Sequence, residues 1–165
     1  VRLLSSNYRL LKPKERPKMA AKAISILLAE DDPDDRYLIG EALEENLVTN
    51  ELYVVEDGEE LLDYLYQRGK YHEKEKWPRP GLILLDLNMP RKDGREVLGE
   101  IKADPELRRI PIVVLTTSHA EDDITYTYDQ GISGYITKPV SFSGLLETIK
   151  AVGEYWLQIV ELPPE

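Results

Sequence analysis

The sequence predicts an α/β fold built on a doubly wound, five-stranded parallel sheet. Short unbroken apolar runs recur along the chain, and such runs are typical of strands that are buried on both faces. Amphipathic segments of helical period separate them, and this alternation favours a parallel sheet with right-handed crossovers. Polar side chains follow several of the runs directly, which places them at one edge of the sheet.

Five segments have the character of strands: 24–29, 52–55, 82–85, 110–115 and 134–137. For five such units with intervening helices we expect the flavodoxin-like strand order 2-1-3-4-5. In that order the first and third strands are neighbours, so residues that follow them meet where the strand order reverses. Ligands of open α/β sheets bind outside the carboxyl ends of the strands at such a point.

Five helices are predicted between and after the strands. Asp32 before Pro33 is a typical helix start, and residues 57–60 resemble a capping box. The first helix extends to about residue 47, the third ends at Pro105, and the last is long, from about 141 to 160. In the fourth helix, at about 121–130, Ile124 and Tyr128 are the expected core residues. Residues 69–81 are charged and contain Gly and Pro, so we expect an exposed loop there.

Composition indicates a single globular domain. The chain has 165 residues, of which 42% are hydrophobic and 32% charged. It has no Cys and only two His, which excludes a disulfide framework and argues against a zinc site. No apolar run approaches the roughly 20 residues of a membrane span, and we find no secretory signal. We therefore expect no membrane partner and a cytoplasmic location.

Charge is distributed unevenly along the chain. Residues 1–22 carry a net charge of about +6, and the rest carries about −16. The acidic body argues against nucleic-acid binding, although the basic arm leaves a nucleic-acid tail open as an alternative. We expect residues 1–22 to be a disordered extension, residues 23–160 to form the domain, and residues 161–165 to be a tail. Met19 resembles a natural start, so the arm could also be an addition to the natural chain.

Three carboxylates are expected to converge at the switch in strand order. Glu30 and Asp31 follow the first strand, and Asp86 follows the third. Carboxylates so close repel one another, and a bound cation would remove the repulsion. Oxygen ligands without Cys or His favour Mg²⁺, with Mn²⁺ as the alternative, and a cation beside a carboxylate nucleophile suits phosphoryl transfer. The neighbouring acids Asp32, Asp34 and Asp35 are interpreted only as stabilising a helix N-terminus.

Two further polar residues are expected at the same edge. Thr116 ends the fourth strand, where its hydroxyl could donate to a phosphoryl oxygen. Lys138 ends the fifth strand, where its ammonium could pair with a phosphoryl group or with Asp86. Each alone could be an ordinary strand-end residue, but the set points to phosphoryl chemistry.

This set of residues resembles the receiver domain of two-component response regulators over about residues 24–150. The resemblance implies that Asp86 is the phosphoacceptor and that Glu30, Asp31, Asp86 and the backbone carbonyl of Asn88 hold the metal. It also implies switch roles for Thr116, Lys138 and Tyr135, and a cis bond between Lys138 and Pro139. Glu30 departs from the Asp that many members carry.

A narrower resemblance concerns the response regulators paired with phytochromes of cyanobacteria and other bacteria. It rests on residues 86–98, 115–119 and 155–163, and it implies a phytochrome histidine kinase as phosphodonor and a homodimer. No output domain is expected, so signalling would proceed through protein contacts. The alternatives are a phosphate-independent pseudo-receiver and an aspartate-nucleophile phosphatase. The second needs an Asp as general acid where this chain has Asn88.

The last helix carries two apolar stripes, which predicts a dimer interface. The first has the spacing of a core face: Leu145, Ile149, Val152, Trp156 and Ile159. The second, expected to face a partner chain together with Trp156, is formed by Leu146, Gly153, Leu157 and Val160. The tail around Pro163 could lie across that partner. In the alternative interpretation, the helix end packs on the fourth helix of the same chain.

Overall fold

The computed structural model describes residues 23–44 and 50–164. The strands are Ser25–Ala29 (β1), Glu51–Val55 (β2), Leu82–Leu85 (β3), Ile112–Thr116 (β4) and Gly134–Thr137 (β5). The helices are Pro33–Glu44 (α1), Gly58–Leu65 (α2), Gly94–Ala103 (α3), Glu121–Asp129 (α4) and Phe142–Glu154 (α5). A 3₁₀ turn at Gly69–Tyr71 and a π-helical turn at Tyr155–Ile159 complete the elements. The predicted basic arm, residues 1–22, lies outside the described residues.

All strand pairs are parallel, and the order is β2-β1-β3-β4-β5. The predicted flavodoxin-like topology is therefore confirmed. The register pairs Ala29 with Leu85, and Leu85 with Val114. Residues that follow these strands consequently emerge at the same edge of the sheet.

Helices cover both faces of the sheet. Helices α1 and α5 pack with Ile26 and Leu28 of β1 on one face. Helices α2 and α3 pack with Leu27 and Ala29 on the other face. Because each face of β1 is buried, the strand needs apolar side chains at successive positions, which accounts for the unbroken run in the sequence.

The segment 69–81 is mostly exposed, as its charge predicts, but two of its aromatic side chains pack against the core. Tyr71 is buried, and Trp77 is half-buried against the core. Their rings pack edge-to-face with centroids 5.0 Å apart and form a cluster with Tyr53 and Tyr64. The Tyr64 hydroxyl donates to the carbonyl oxygen of Pro78 at 3.0 Å. Tyr71 and Trp77 thereby anchor an otherwise exposed segment, because packed aromatic side chains contribute much of the packing energy.

Helix α4 departs from its predicted core. Tyr128 is 51% exposed and Ile124 is only half-buried, whereas Thr127 is fully buried. The Thr127 hydroxyl donates to the carbonyl oxygen of Asp123 at 2.8 Å, which satisfies its polar group within the helix. An apolar periodicity therefore gave the wrong face for this short polar helix.

Helix α5 packs chiefly against α1. Leu145, Ile149 and Val152 are buried as predicted, but Ile159 of the same stripe is 62% exposed. In the second stripe Gly153 is buried, and the other members are half-buried; Leu146 and Leu157, together with Trp156, pack on the α1–α5 core. The second stripe is thus partly covered by its own chain.

Two backbone details after β5 also differ from expectation. The Lys138–Pro139 bond is trans, the form that X–Pro bonds favour by about 0.5–1 kcal/mol, so the expectation of a cis bond was wrong. At the C-terminal end, Pro163 and Pro164 line a small cavity with Arg79 and Pro111 of the same chain. The tail therefore lies beside the start of β4 within its own chain.

Candidate phosphoacceptor site

Glu30, Asp31 and Asp86 lie together at the carboxyl edge of the sheet. The amide of Asp86 donates to the carbonyl oxygen of Ala29 at 3.0 Å, which fixes the end of β3 beside the end of β1. One carboxylate oxygen from each of the three side chains lies within 4.8 Å of the others. Glu30 and Asp86 are buried and Asp31 is exposed. Three oxygen donors so arranged fit a divalent cation, as the sequence predicts.

Lys138 reaches the same point from the end of β5. Its Nζ donates to Glu30 Oε2 at 2.5 Å, to Asp35 Oδ2 at 2.7 Å and to Asp86 Oδ2 at 3.3 Å. The Lys138 side chain is only 4% exposed. One ammonium thus neutralises part of the charge of three carboxylates in a region that solvent barely enters.

Burial and hydrogen bonding act in opposite directions on this cluster. Burial raises the pKa of Glu30 to about 7, and the hydrogen bond from Lys138 offsets only part of that rise. Burial alone would lower the pKa of Lys138, but hydrogen bonds to Asp35 and Glu30 and the charge of Asp86 raise it well above its usual range. Lys138 is therefore held as a cation at neutral pH.

Asp35 is a site residue that the sequence interpretation missed. We interpreted it as one of several acids at the start of α1, yet its carboxylate binds Lys138. Arg36 was missed as well: its Nη1 donates to the backbone carbonyls of Glu30 and Asp31 at 3.1 and 2.8 Å and so orients the acidic pair. The sequence did contain a signal for Asp35. Helix α1 starts next to the site, so the side chains of its first turn, including Asp35, lie close to it.

Thr116 and Asn88 face each other across the rim. The fully buried Thr116 hydroxyl accepts from the Asn88 side-chain amide at 3.5 Å and from the backbone amide of Ser118 at 3.4 Å. The backbone amide of Asn88 donates to Asp86 Oδ1 at 3.1 Å. Asp86 thus has Oδ1 directed to the loop after β3 and Oδ2 directed to Lys138.

The loop after β3 is packed tightly against the starts of two helices, and each of these helices begins with a glycine that contacts the loop. A Cβ on Gly94 would lie 2.4 Å from the carbonyl oxygen of Asp86, and one on Gly58 would lie 2.1 Å from that of Lys92. Between them, Arg91 adopts a left-handed backbone with φ of 61°. These contacts fix the course of the chain that carries Asp86 and Asn88.

Tyr135, the predicted aromatic switch residue, is half-buried on β5. Its hydroxyl donates to the carbonyl oxygen of Ser118 at 2.8 Å, and burial raises its pKa. The contact connects β5 to the loop that follows Thr116. A predicted switch residue is thus in direct contact with the segment that it would have to read.

Comparison with known proteins identifies the family. A family model for the response regulator receiver domain matches residues 26–150. The chain belongs to this family. Phosphorylation on an aspartate is general among receiver domains, which are signalling domains and not classical enzymes. The resemblance predicted from the sequence is confirmed.

Several relatives are similar over most of their length. Response regulator Rcp1 of Synechocystis sp. is 46% identical over 138 residues, which make up 84% of this chain and 92% of Rcp1. The crystal structure of Mn²⁺-bound Rcp1 has a TM-score of 0.80 at 45% identity, and that of the phosphorylated cyanobacterial phytochrome response regulator RcpA has 0.81 at 49%. Each of the two matches covers 86% of this chain and 99% of the chain in the crystal structure.

A relative of another kind is similar to nearly the same degree. The probable methanogenesis regulatory protein FilR2 of Methanothrix harundinacea is 42% identical over 132 residues, or 80% of this chain and 83% of FilR2. Overall identity therefore establishes the receiver family without by itself selecting a partner. Within the described part of the chain, no helix combines the length and the apolar character that crossing a membrane requires.

Proposed function

We propose that this chain is a cytoplasmic response regulator that accepts a phosphoryl group on Asp86 from a sensor histidine kinase. The observation that carries the proposal is the convergence of Lys138 with the carboxylates of Glu30, Asp31 and Asp86 at the rim of the sheet. One positive group and a cation site flank the buried carboxylate of Asp86. This arrangement suits a group that gains and loses a phosphoryl dianion.

In the proposed reaction, Asp86 Oδ2 attacks the phosphorus of a phosphohistidine. A new P–O bond forms while the P–N bond breaks, and the imidazole nitrogen keeps the electron pair. Lys138, which is 3.3 Å from Oδ2 before the reaction, would pair with a phosphoryl oxygen. The Thr116 hydroxyl would donate to another oxygen, since Asn88 and Ser118 donate to its oxygen and do not engage its proton.

The residues for a cation are present on the other side of Asp86. Glu30, Asp31, Asp86 and the backbone carbonyl of Asn88 would hold Mg²⁺ or Mn²⁺. The bound ion would neutralise the charge that gathers on the phosphoryl oxygens. Because Glu30 is also bound to Lys138, the longer carboxylate would have to divide its two oxygens between the ammonium and the ion or its water.

Intact-mass spectrometry with acetyl phosphate tests the acceptor. We expect the wild type to gain one phosphoryl unit with Mg²⁺ and none with EDTA. Asp86→Asn should abolish labelling. Asp122→Asn is the matched control, because it makes the same chemical change at an exposed position in the first turn of α4. Labelling that survives Asp86→Asn would overturn the proposal, and a wild type that no donor labels would favour the pseudo-receiver alternative.

A phytochrome histidine kinase is the phosphodonor that we propose. The support is the similarity to RcpA, a cyanobacterial phytochrome response regulator, at 49% identity over 86% of this chain. Phosphotransfer profiling against the histidine kinases of the host tests this directly. We expect the fastest transfer from a phytochrome kinase; faster transfer from a kinase without a chromophore would contradict the pairing.

We further propose that Thr116 and Tyr135 respond to the phosphoryl group and that the output is a contact with another protein. We also propose that the chain forms a homodimer through the end of α5 and the turn after it. The contact between Tyr135 and Ser118 supports a coupled change, since Ser118 also donates to Thr116. Thr116→Ala should still be phosphorylated but should lose the change in partner affinity. Equal responses of Thr116→Ala and wild type would exclude Thr116 from the switch.

A further inference from the structure

Helix α4 is weakly anchored by apolar contacts. Among its described residues only Thr127 is buried, while Tyr126 and Tyr128 are 38% and 51% exposed. A helix with so little buried apolar surface opens at low cost in free energy unless polar contacts hold it. The position of α4 must therefore depend on those polar contacts.

The principal polar contact is an ion pair between α3 and α4. Arg95 Nε lies 2.5 Å from Asp123 Oδ1, and Arg95 Nη2 lies 2.6 Å from Asp123 Oδ2. This is a two-point guanidinium–carboxylate geometry, which is stronger and more directional than a single bond. The hydrogen bonds from Arg95 lower the pKa of Asp123 to about 2. The pair is therefore charged throughout the physiological range.

A second contact supports the same junction. The Tyr126 hydroxyl donates to the carbonyl oxygen of Arg95 at 3.1 Å. It lies over Gly99, where a Cβ would be 3.2 Å from that hydroxyl. Helix α4 thus rests on α3 through Arg95 and the small residue one turn further along.

The ion pair is connected to the phosphoacceptor site through Ser118. The Ser118 hydroxyl donates to Asp123 Oδ2 at 2.5 Å. The Ser118 amide donates to the Thr116 hydroxyl, and its carbonyl accepts from Tyr135. Ser118 therefore joins the ion pair to both predicted switch residues.

We propose that Arg95 and Asp123 are positioning residues that hold the segment 117–129 in its unphosphorylated conformation. They touch no reacting atom and act mainly through Ser118, although Arg95 also pairs with Asp93 and lies 3.4 Å from the side-chain oxygen of Asn88. When the Thr116 side chain moves toward a phosphoryl oxygen, its 3.4 Å bond from the Ser118 amide would lengthen or break, and Ser118 and its partner Asp123 would shift with it. The pair thereby sets the equilibrium between the two conformations of the switch. The coupling to phosphorylation rests on the proposed function, whereas the effect on segment 117–129 does not.

Amide hydrogen exchange of the unphosphorylated chain tests the positioning. We expect Asp123→Asn and Arg95→Gln to lower protection in residues 117–129 by at least about fivefold, the lower end of typical coupling between sites. Asp122→Asn is the matched control: it changes the same charge in the same first turn, at an exposed position. Equal protection in Asp123→Asn and Asp122→Asn would overturn the proposal.

A double-variant cycle and labelling kinetics separate positioning from a purely structural role. Because Asp123 acts through its pair with Arg95, adding Asp123→Asn to Arg95→Gln should lower protection no further than Arg95→Gln alone, and Arg95→Lys should recover part of the protection. Acetyl phosphate should label the single variants faster than the wild type by a similar factor. Lower protection with unchanged labelling rates would contradict the coupling. A wild type that fails to label would refute the proposed function, while the exchange result would still judge the positioning.

Discussion

Lys138 is the residue on which the charge balance of the rim depends. It binds Glu30, Asp35 and Asp86 in a region from which water is largely excluded. Removing one partner of a buried ion pair is costly because the other charges stay buried without compensation. Its removal should therefore reveal how strongly the carboxylates repel one another, and a cation should take over part of its role.

We predict that Lys138→Met lowers the free energy of unfolding of the metal-free chain by about 3–5 kcal/mol. Urea denaturation with EDTA measures the loss, and millimolar Mg²⁺ should reduce it. Lys70→Gln is the control, since Lys70 is an exposed partner of Glu60 and such pairs contribute at most about 1 kcal/mol. Equal losses in the two variants would show that the rim carboxylates are not in conflict.

Glu30 should make the stability of the metal-free chain depend on pH. Its pKa is about 7 in the folded chain against an ordinary value of 4.5, so the folded state binds more protons between these values. Its contribution to stability is therefore present at low pH and lost as pH rises from about 4.5 to 7, by at most on the order of 3 kcal/mol. The difference in unfolding free energy between wild type and Glu30→Gln, measured from pH 4.5 to 8, should show this slope. A difference that does not vary with pH would contradict it.

Elements position the site through backbone packing as much as through side chains. The N-terminus of α3 lies so close to the end of β3 that Gly94 has no room for a side chain. The same applies where α2 meets the loop at Gly58. These helix starts therefore determine where Asp86 and Asn88 lie relative to β1.

We expect Gly94→Ala to destabilise the chain by about 1–3 kcal/mol, because the new Cβ overlaps backbone atoms that cannot move away independently. The variant should also bind Mg²⁺ more weakly, as followed by Trp fluorescence or calorimetry. Gly99→Ala is the control within the same helix, where the nearest atom is the movable Tyr126 hydroxyl. A Gly94→Ala chain as stable as Gly99→Ala would show that the loop is looser than its contacts indicate.

The π-helical turn that follows α5 offers the surface for the proposed homodimer. Tyr155 and Ile159 are 53% and 62% exposed beside the half-buried Trp156 and Leu157. Leu157 packs on its own core, so a charge there could unfold the chain as well as block a dimer. Ile159→Glu avoids that ambiguity, and an isologous contact would feel each new charge twice.

Light scattering should therefore find a folded monomer for Ile159→Glu and a dimer for the wild type. Ser143→Glu, at the opposite end of α5 and also exposed, should remain dimeric. A wild type that is monomeric at high micromolar concentration would refute the dimer, and a dimeric Ile159→Glu would place the interface elsewhere.

At the scale of the whole molecule, topology was predictable because it depends on patterns that persist over many residues. Buried strands and their polar ends placed Glu30, Asp31, Asp86, Thr116 and Lys138 at one edge without any side-chain geometry. Single contacts were not predictable in this way. Asp35 shared its signal with the neighbouring acids of α1, and Tyr71 and Trp77 lay in a charged segment whose burial depends on long-range packing.

The Arg95–Asp123 pair is a second contact that could not be predicted from the sequence. Its members lie 28 positions apart on different helices, and either would be an ordinary surface charge in the sequence. Only the crossing of α3 and α4 brings them together. Local pattern thus predicts which elements form the sheet edge, whereas the polar contacts between helices require the assembled fold.

Reductive trapping of the phosphorylated chain tests the central claim most directly. Borohydride converts an aspartyl phosphate to homoserine, so peptide mass spectrometry locates the acceptor at the level of one residue. After treatment with acetyl phosphate and Mg²⁺, we predict homoserine at position 86 and none when EDTA is present. Homoserine at another carboxylate, with residue 86 intact, would contradict Asp86 as the phosphoacceptor.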